Sequence, residues 1–257
     1  MTQTVSKTSR GDQFQMSPIR KTALVAGVLY LLTFVSIPTL FLYGPVKSAN
    51  YILGPGPDTA VIVGGILEII VALACIGTAV ALYPVVKRQN EGVALGFVGS
   101  RVLEAATIFA GVACLLSVVT LRQAGAGAGG LISAQTLVAL YDRTFLVGQS
   151  FIPAVNALLL GSLLYQSRLV PRVLPLLGFI GAALLVASDI GVLFSLWGQT
   201  SSMAALAALP IALWEFSLGV YLVVKGFKPS PILSSSYVDV GDAFLGIRGN
   251  VVVTPTD

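Results

Sequence analysis

Six long apolar runs divide this chain and limit what it can fold into. An α-helix rises about 1.5 Å per residue, so about 20 apolar residues cross the ~30 Å hydrocarbon core of a bilayer. Hydrophobic residues make up 56% of the 257 positions and charged residues only 10%, against about 25% charged residues in ordinary soluble domains. The sequence therefore predicts an all-α, polytopic membrane helix bundle with six transmembrane helices.

The six predicted spans are separated by short polar segments. They are Thr22–Tyr43, Ala60–Tyr83, Val93–Leu121, Thr144–Tyr165, Val173–Trp197 and Met203–Val224. The start of the fourth span stays open, because Leu131–Leu140 before it is also mildly apolar and is compatible with a separate interfacial helix. Aromatic residues stand at four span ends, where an aromatic belt is expected: Tyr43, Tyr83, Tyr165 and Trp197.

Basic residues are distributed unequally between the two sides of these spans. One side carries Arg20, Lys21, Lys87, Arg88, Arg168, Arg172, Lys225 and Lys228, and the other only Lys47, Arg122 and Arg143 near span ends. Because cytoplasmic loops are enriched in Lys and Arg, we expect both termini in the cytoplasm. The same bias accounts for the net charge of +4, so we expect the lipid bilayer as partner and no nucleic acid.

The chain is expected to form one membrane domain with two tails. Residues 21–228 hold the six helices, residues 1–20 form a disordered cytoplasmic N-terminal tail, and residues 229–257 form a flexible cytoplasmic C-terminal tail. The sequence leaves the oligomeric state open.

Four acidic residues lie within the apolar runs: Glu68, Glu104, Asp189 and Glu215. A charged side chain at the centre of a membrane helix costs about 2.5–3.5 kcal/mol on insertion scales. Such residues persist when they are paired or line a polar cavity. Asp189 lies near the end of its span; we favour an acid solvated near the following loop, and a gate residue is the alternative.

Further polar residues point to one region inside the bundle. Arg101 and Glu104 are three positions apart, so they share a helix face and can pair. Asn156 lies near the centre of the fourth span, and small residues flank Glu68 and Glu215, which lets other helices approach. The candidate intramembrane polar site therefore consists of Glu68, Arg101, Glu104, Asn156 and Glu215.

The composition excludes several kinds of chemistry. The chain has no histidine, so His-based general bases, His metal sites and Cys/His zinc clusters are absent. Cys75 and Cys114 lie within apolar runs at different depths, which is typical of packing residues. We expect no catalytic residues, no metal and no cofactor; a lipid-modifying enzyme using Glu and Asp alone stays open, without positive support.

Two interpretations of the polar site remain. The first is binding or transport of a small solute, with or without proton coupling. The alternative is a non-catalytic structural or accessory membrane protein, whose buried acids lock helix packing or hold a partner subunit.

Three segments carry a resemblance to a known family: Arg101-Val102-Leu103-Glu104, Val155–Gly161 continuing to Arg168–Arg172, and Trp214–Gly219. Over approximately Arg20–Pro231 the chain resembles the bacterial membrane proteins grouped as domain of unknown function 4386. The resemblance implies a prokaryotic polytopic inner-membrane protein. It transfers no activity, ligand or site residue.

Overall fold

A computed structural model describes residues 16–54 and 57–233. Throughout this part of the chain the regular structure is helical, with no β-strand. The α-helices are α1 (Pro18–Leu32), α2 (Thr39–Leu42), α3 (Thr59–Val86), α4 (Glu91–Gln123), α5 (Leu131–Phe145), α6 (Ile152–Ser167), α7 (Val173–Leu193) and α8 (Ser202–Val224). Residues 1–15 and 234–257, which include most of both predicted tails, lie outside the described residues.

Six segments are long and apolar enough to cross a membrane, which confirms the predicted span count. They are Pro18–Leu42, Thr59–Val86, Glu91–Gln123, Gly127–Ser167, Val173–Leu193 and Ser202–Val224. The first span combines α1 and α2 through a 3-10 turn at Thr33–Ser36. The fifth ends at Leu193 rather than at the predicted Trp197, because the chain turns at Ser195 with a left-handed φ of 58°.

The six spans form a closed ring in chain order. Helix α1 packs on α3, α3 on α4, α4 on α5 and α6, α6 on α7, α7 on α8, and α8 returns to α1. The outside of the ring carries exposed large apolar side chains, including Val25, Ile66, Leu73, Leu103, Ile180 and Leu213. Because acyl chains are as apolar as these side chains, this outer surface suits a bilayer.

The two ends of the ring differ. The first, called the basic face here, consists of residues 16–17, 87–90, 168–172 and 225–233, and a buried apolar core fills the bundle behind it. This core includes Ala23, Tyr30, Leu82, Phe97, Leu164, Trp214 and Leu218. The other end, called the cavity face, consists of residues 43–54, 57–58, 124–130 and 194–201.

Polar contacts fasten the chain at the basic face. The Arg20 guanidinium donates to the carbonyl oxygens of Leu222 at 2.8 Å and Val223 at 2.5 Å. These carbonyls belong to the last turn of α8, where backbone acceptors lack partners within the helix. The Lys228 amide then donates to the Leu169 carbonyl at 2.8 Å. The first and last spans are therefore held together at this end.

The fourth apolar helical segment begins earlier than the predicted Thr144 and includes Leu131–Leu140, the stretch that left its start open in the sequence. Helix α5 continues through a π-helical turn at Leu146–Phe151 directly into α6, and the span runs from Gly127 to Ser167. Pro153 has no backbone N–H to donate to the carbonyl four residues earlier, which favours a locally wider turn. Gly148 lies in this turn against Thr107 of α4, where a Cβ would collide with the Thr107 hydroxyl.

Candidate functional site

Arg101 of α4 is the centre of a buried polar cluster. Its side chain is 1% exposed; Nη1 donates to Glu104 Oε2 at 2.9 Å, and Nη2 donates to Glu215 Oε1 at 3.0 Å. The guanidinium carbon also lies 5.0 Å from the centre of the Tyr30 ring and 5.8 Å from that of Phe97. Ring faces attract a cation, most strongly where water is excluded. Two carboxylates and two rings therefore stabilise one buried charge.

Asn156 of α6 completes this cluster. Its side chain is fully buried, and Nδ2 donates to Glu104 Oε2 at 2.7 Å. Arg101, Glu104, Asn156 and Glu215 are called the Arg101 cluster below. The cluster joins three helices and contains two carboxyl groups for one guanidinium, so its formal charge is negative when both are ionised.

Glu68 of α3 has a different set of partners. The Tyr43 hydroxyl donates to Oε2 at 3.2 Å, while the Tyr141 hydroxyl and Gln149 Nε2 donate to Oε1 at 2.9 and 3.3 Å. The side chain of Glu68 is fully buried. The polar residues predicted from the sequence therefore form two groups, the Arg101 cluster and a separate Glu68 pocket.

Tyr43 corrects the assignment of its ring to an aromatic belt. The residue is only 3% exposed and points inward to Glu68. Gly64 of α3 makes this approach possible, because a Cβ there would collide with the Tyr43 ring. The rings of Tyr43 and Tyr141 then meet edge to face, with centroids 5.4 Å apart, a favoured arrangement for aromatic pairs.

Asp189 of α7 also differs from expectation. It lies one turn from the end of its helix, but it is 3% exposed rather than solvated. The Ser150 hydroxyl donates to Oδ1 at 2.6 Å. Among the described residues Oδ2 has no hydrogen-bond partner. The sequence analysis left Asp189 out of the candidate site, although its acidic side chain in an apolar run was the signal.

A cavity of about 750 Å³ connects these groups within the ring. It is lined by Lys47, Gln199 and Ser201 at the cavity face and by Cys75, Arg101, Glu104 and Glu215 deeper in the bundle. Asp189 lies in its wall, as do Tyr43, Tyr141 and Gln149, which hold Glu68. On the other side, the buried core of the basic face closes the bundle.

Charges at the cavity face are already paired. Lys47 Nζ lies 2.7 Å from Asp142 Oδ1 and 5.1 Å from the centre of the Tyr141 ring. Arg122 Nη1 lies 2.8 Å from Asp58 Oδ1. In the described part of the chain, no group of three or more His, Cys, Asp or Glu side chains is arranged to hold a metal ion.

A ring of six apolar helices around buried ion pairs defines a polytopic helical membrane protein. The sequence model of one family matches residues 25–226: the chain belongs to the family described as domain of unknown function (DUF4386). This match confirms the resemblance found in the sequence. No match was found among curated proteins or among solved structures.

Proposed function

We propose that this protein binds a small polar solute in the cavity and moves it across the plasma (inner) membrane of a prokaryotic cell, with proton coupling. The observation that carries the proposal is the cavity of about 750 Å³ that reaches the Arg101 cluster. Small-molecule sites occupy about 300–1,000 Å³ and combine apolar walls with a few polar groups. Lysine, arginine and carboxyl groups in this cavity provide those polar groups within an apolar bundle.

The asymmetry of the bundle supports transport. The cavity extends toward the cavity face, whereas the core containing Tyr30, Phe97 and Trp214 closes the basic face. Alternating access requires a state of this kind, in which a central site is open on one side and sealed on the other. A second state would open the basic face by moving spans apart within the ring.

The cavity wall contains more carboxyl groups than buried cations, and this excess supports proton coupling. Glu104 and Glu215 share Arg101, and Asp189 contacts Ser150 rather than a cation. Ionisable residues within membrane spans mark proton and solute pathways in many transporters. Here, a proton or a cationic solute would neutralise the remaining negative charge.

The proposed topology places the basic face, and with it both termini, in the cytoplasm. Eight basic residues near that face against three near the other support it. A reporter fused after Asp257 tests it: green fluorescent protein should fluoresce and alkaline phosphatase should be inactive, since the latter folds only after export. Active alkaline phosphatase at this position would overturn the topology.

Cysteine accessibility tests the cavity itself. Ala208 lines the cavity, whereas Leu213 of the same helix is 48% exposed on the outside of the ring. In membranes, an uncharged methanethiosulfonate should modify an Ala208→Cys variant from water and modify Leu213→Cys far more slowly, because lipid covers that side. The unsubstituted protein, with Cys75 and Cys114 buried, gives the background. An unreactive Ala208→Cys variant would overturn the proposal.

One observation favours the second candidate, a structural lock. Arg101 links α4 to α8, and Asn156 ties α6 to the same carboxylate, so the cluster fixes three helices at once. Glu104→Gln separates the candidates, since it removes the charge and retains the size. If Glu104→Gln abolishes solute flux while the protein keeps its thermal stability, the result supports the solute site. If every acid-to-amide variant unfolds, the result supports the structural lock.

A further inference from the structure

Asp189 has fewer partners than the other buried carboxyl groups within residues 16–54 and 57–233. It accepts one hydrogen bond, from the Ser150 hydroxyl at 2.6 Å, and its Oδ2 has no partner there. Glu68 accepts three hydrogen bonds, and Glu104 accepts from both Arg101 and Asn156. Asp189 lies in the wall of the large cavity and is 3% exposed. Glu104 and Glu215, the other acids in this cavity wall, both pair with Arg101, so among the described residues Asp189 is the cavity acid without a cation as partner.

The cations around the cavity are committed to other acids. Arg101 pairs with Glu104 and Glu215, and Lys47 pairs with Asp142. A carboxylate buried without a cation is costly in a low-dielectric interior. A cationic ligand at Asp189 removes that cost, whereas an anionic ligand increases it.

Aromatic rings add a second preference for the same kind of ligand. Phe34, Tyr43, Tyr141 and Phe145 line the cavity together with Asp189. Aromatic faces attract organic ammonium groups and also pack against alkyl chains. A carboxylate within such a cavity suits a small organic cation better than a hydrated inorganic ion.

The π-helical turn explains how two neighbouring residues serve two acids. Gln149 donates to Glu68, and the next residue, Ser150, donates to Asp189 on the other side. Turns of this type occur often at functional sites, since the additional residue re-aims side chains. The turn thus orients the Asp189 carboxyl group through Oδ1, and Oδ2 is a buried oxygen without a partner among the described residues.

We propose that Asp189, oriented by Ser150, binds the ammonium group of a small organic cation within the cavity, and that the aromatic rings contact its apolar part. This assignment rests on the proposed function, because it requires that a solute enters the cavity. It goes further by placing the contact to the solute on Asp189 rather than on the Arg101 cluster.

The test uses the Ala208→Cys variant of the full chain in membranes and three methanethiosulfonates. These carry a trimethylammonium group, a sulfonate group or a neutral methyl group. The cationic reagent should react roughly tenfold faster than the anionic one, after correction for a free thiol in water, because a negative cavity concentrates cations. Adding Asp189→Asn should reduce this preference severalfold, because it removes one of the negative charges in the cavity wall. The matched change Glu91→Gln, at an exposed acid near the basic face, should leave it intact.

Protection by a ligand probe completes the test. Millimolar n-butylammonium should slow modification of the Ala208→Cys variant, and n-butanol should not. A second variant, Ser150→Ala, keeps the carboxyl group and should retain the charge preference while protection by n-butylammonium weakens severalfold. Ser150→Ala remains informative if the Asp189→Asn variant does not fold.

The outcomes separate this inference from the proposed function. Equal rates for cationic and anionic reagents, or n-butylammonium protection that survives both Asp189→Asn and Ser150→Ala, would overturn the role of Asp189. Reaction with the neutral reagent would then still support an accessible cavity. No reaction with any of the three reagents would overturn both proposals.

Discussion

Arg101 donates to Glu215 across 3.0 Å, although 114 positions separate the two residues in the chain. The contact connects α4 with α8, which lie apart in the ring of helices. Its partners are 1% and 16% exposed at the side chain. Because the second guanidinium nitrogen serves Glu104, one arginine holds two acceptors at different positions.

Replacing this arginine by lysine should destabilise the protein despite the unchanged charge. A lysine ammonium is a single point donor and cannot reproduce the two separated contacts of a guanidinium. We expect Arg101→Lys to lower the unfolding free energy by about 1.5–3 kcal/mol, the range for a hydrogen bond to a charged group. Thermal unfolding in detergent measures it, with the exposed Arg143→Lys as control. Equal melting temperatures for Arg101→Lys and the original protein would contradict the prediction.

The Glu68 pocket should depend on its tyrosine donors. Tyr141→Phe removes the 2.9 Å hydrogen bond to Glu68 Oε1 and leaves the ring. Removing one hydrogen-bond donor from a buried carboxyl group should lower the unfolding free energy by about 1–3 kcal/mol. Tyr165→Phe is the matched control, since the ring of Tyr165 packs on Phe179. If the two variants melt together, the Tyr141 hydroxyl does not stabilise Glu68.

The π-helical turn should tolerate no side chain at Gly148. A Cβ there would collide with the hydroxyl of Thr107, and overpacking of this kind costs about 1–3 kcal/mol. Gly99 of α4 has open space around the equivalent atom, so Gly99→Ala should instead stabilise by up to ~1 kcal/mol through helix propensity. Opposite signs of the two melting-temperature shifts are expected. A stabilised Gly148→Ala variant would contradict the packing of this turn on α4.

A pH effect is expected at the cavity face. Hydrogen bonds from Tyr51, Gln123 and Arg122 outweigh the effect of desolvation and hold the pKa of Asp58 below its usual value. A lowered pKa in the folded state means that the stabilisation is fully present above the unfolded pKa of about 4. It is lost as the pH falls below that value and through the folded pKa.

Asp58→Asn should therefore lower stability at pH 7 and reduce the loss of stability between roughly pH 5 and pH 2. Thermal unfolding measured across this range gives the two curves. Asp142→Asn serves as the control, since it removes the other ion pair of the cavity face. Parallel curves for Asp58→Asn and the original protein would contradict the assignment.

The sequence predicted the parts of the structure that depend on local pattern. Hydropathy and length fixed six spans, and a separation of three positions placed Glu104 beside Arg101 on α4. The free-energy cost of a charge in hydrocarbon also predicted a polar environment for Glu215, and in the structure its carboxylate pairs with Arg101. Each of these inferences needs only one helix and the hydrocarbon around it.

The remaining features depend on contacts between helices. Tyr43 has the position of a belt residue in the sequence, but a glycine on α3 lets it turn inward to Glu68. Asp189 stands near a loop, yet the π-helical turn brings Ser150 to it and buries it. Neither the turn nor the approach of two helices has a signal in hydropathy.

A double-mutant cycle on Arg101 and Glu215 tests the central claim that acids from separate spans meet around one guanidinium. The unfolding free energies of Arg101→Met, Glu215→Gln and the combined variant are compared with that of the original protein. Contacting residues typically show coupling of about 0.5–3 kcal/mol, and we predict at least ~1 kcal/mol, with the combined variant more stable than the two single losses imply. Additivity within about 0.3 kcal/mol would contradict the contact and the cluster built on it.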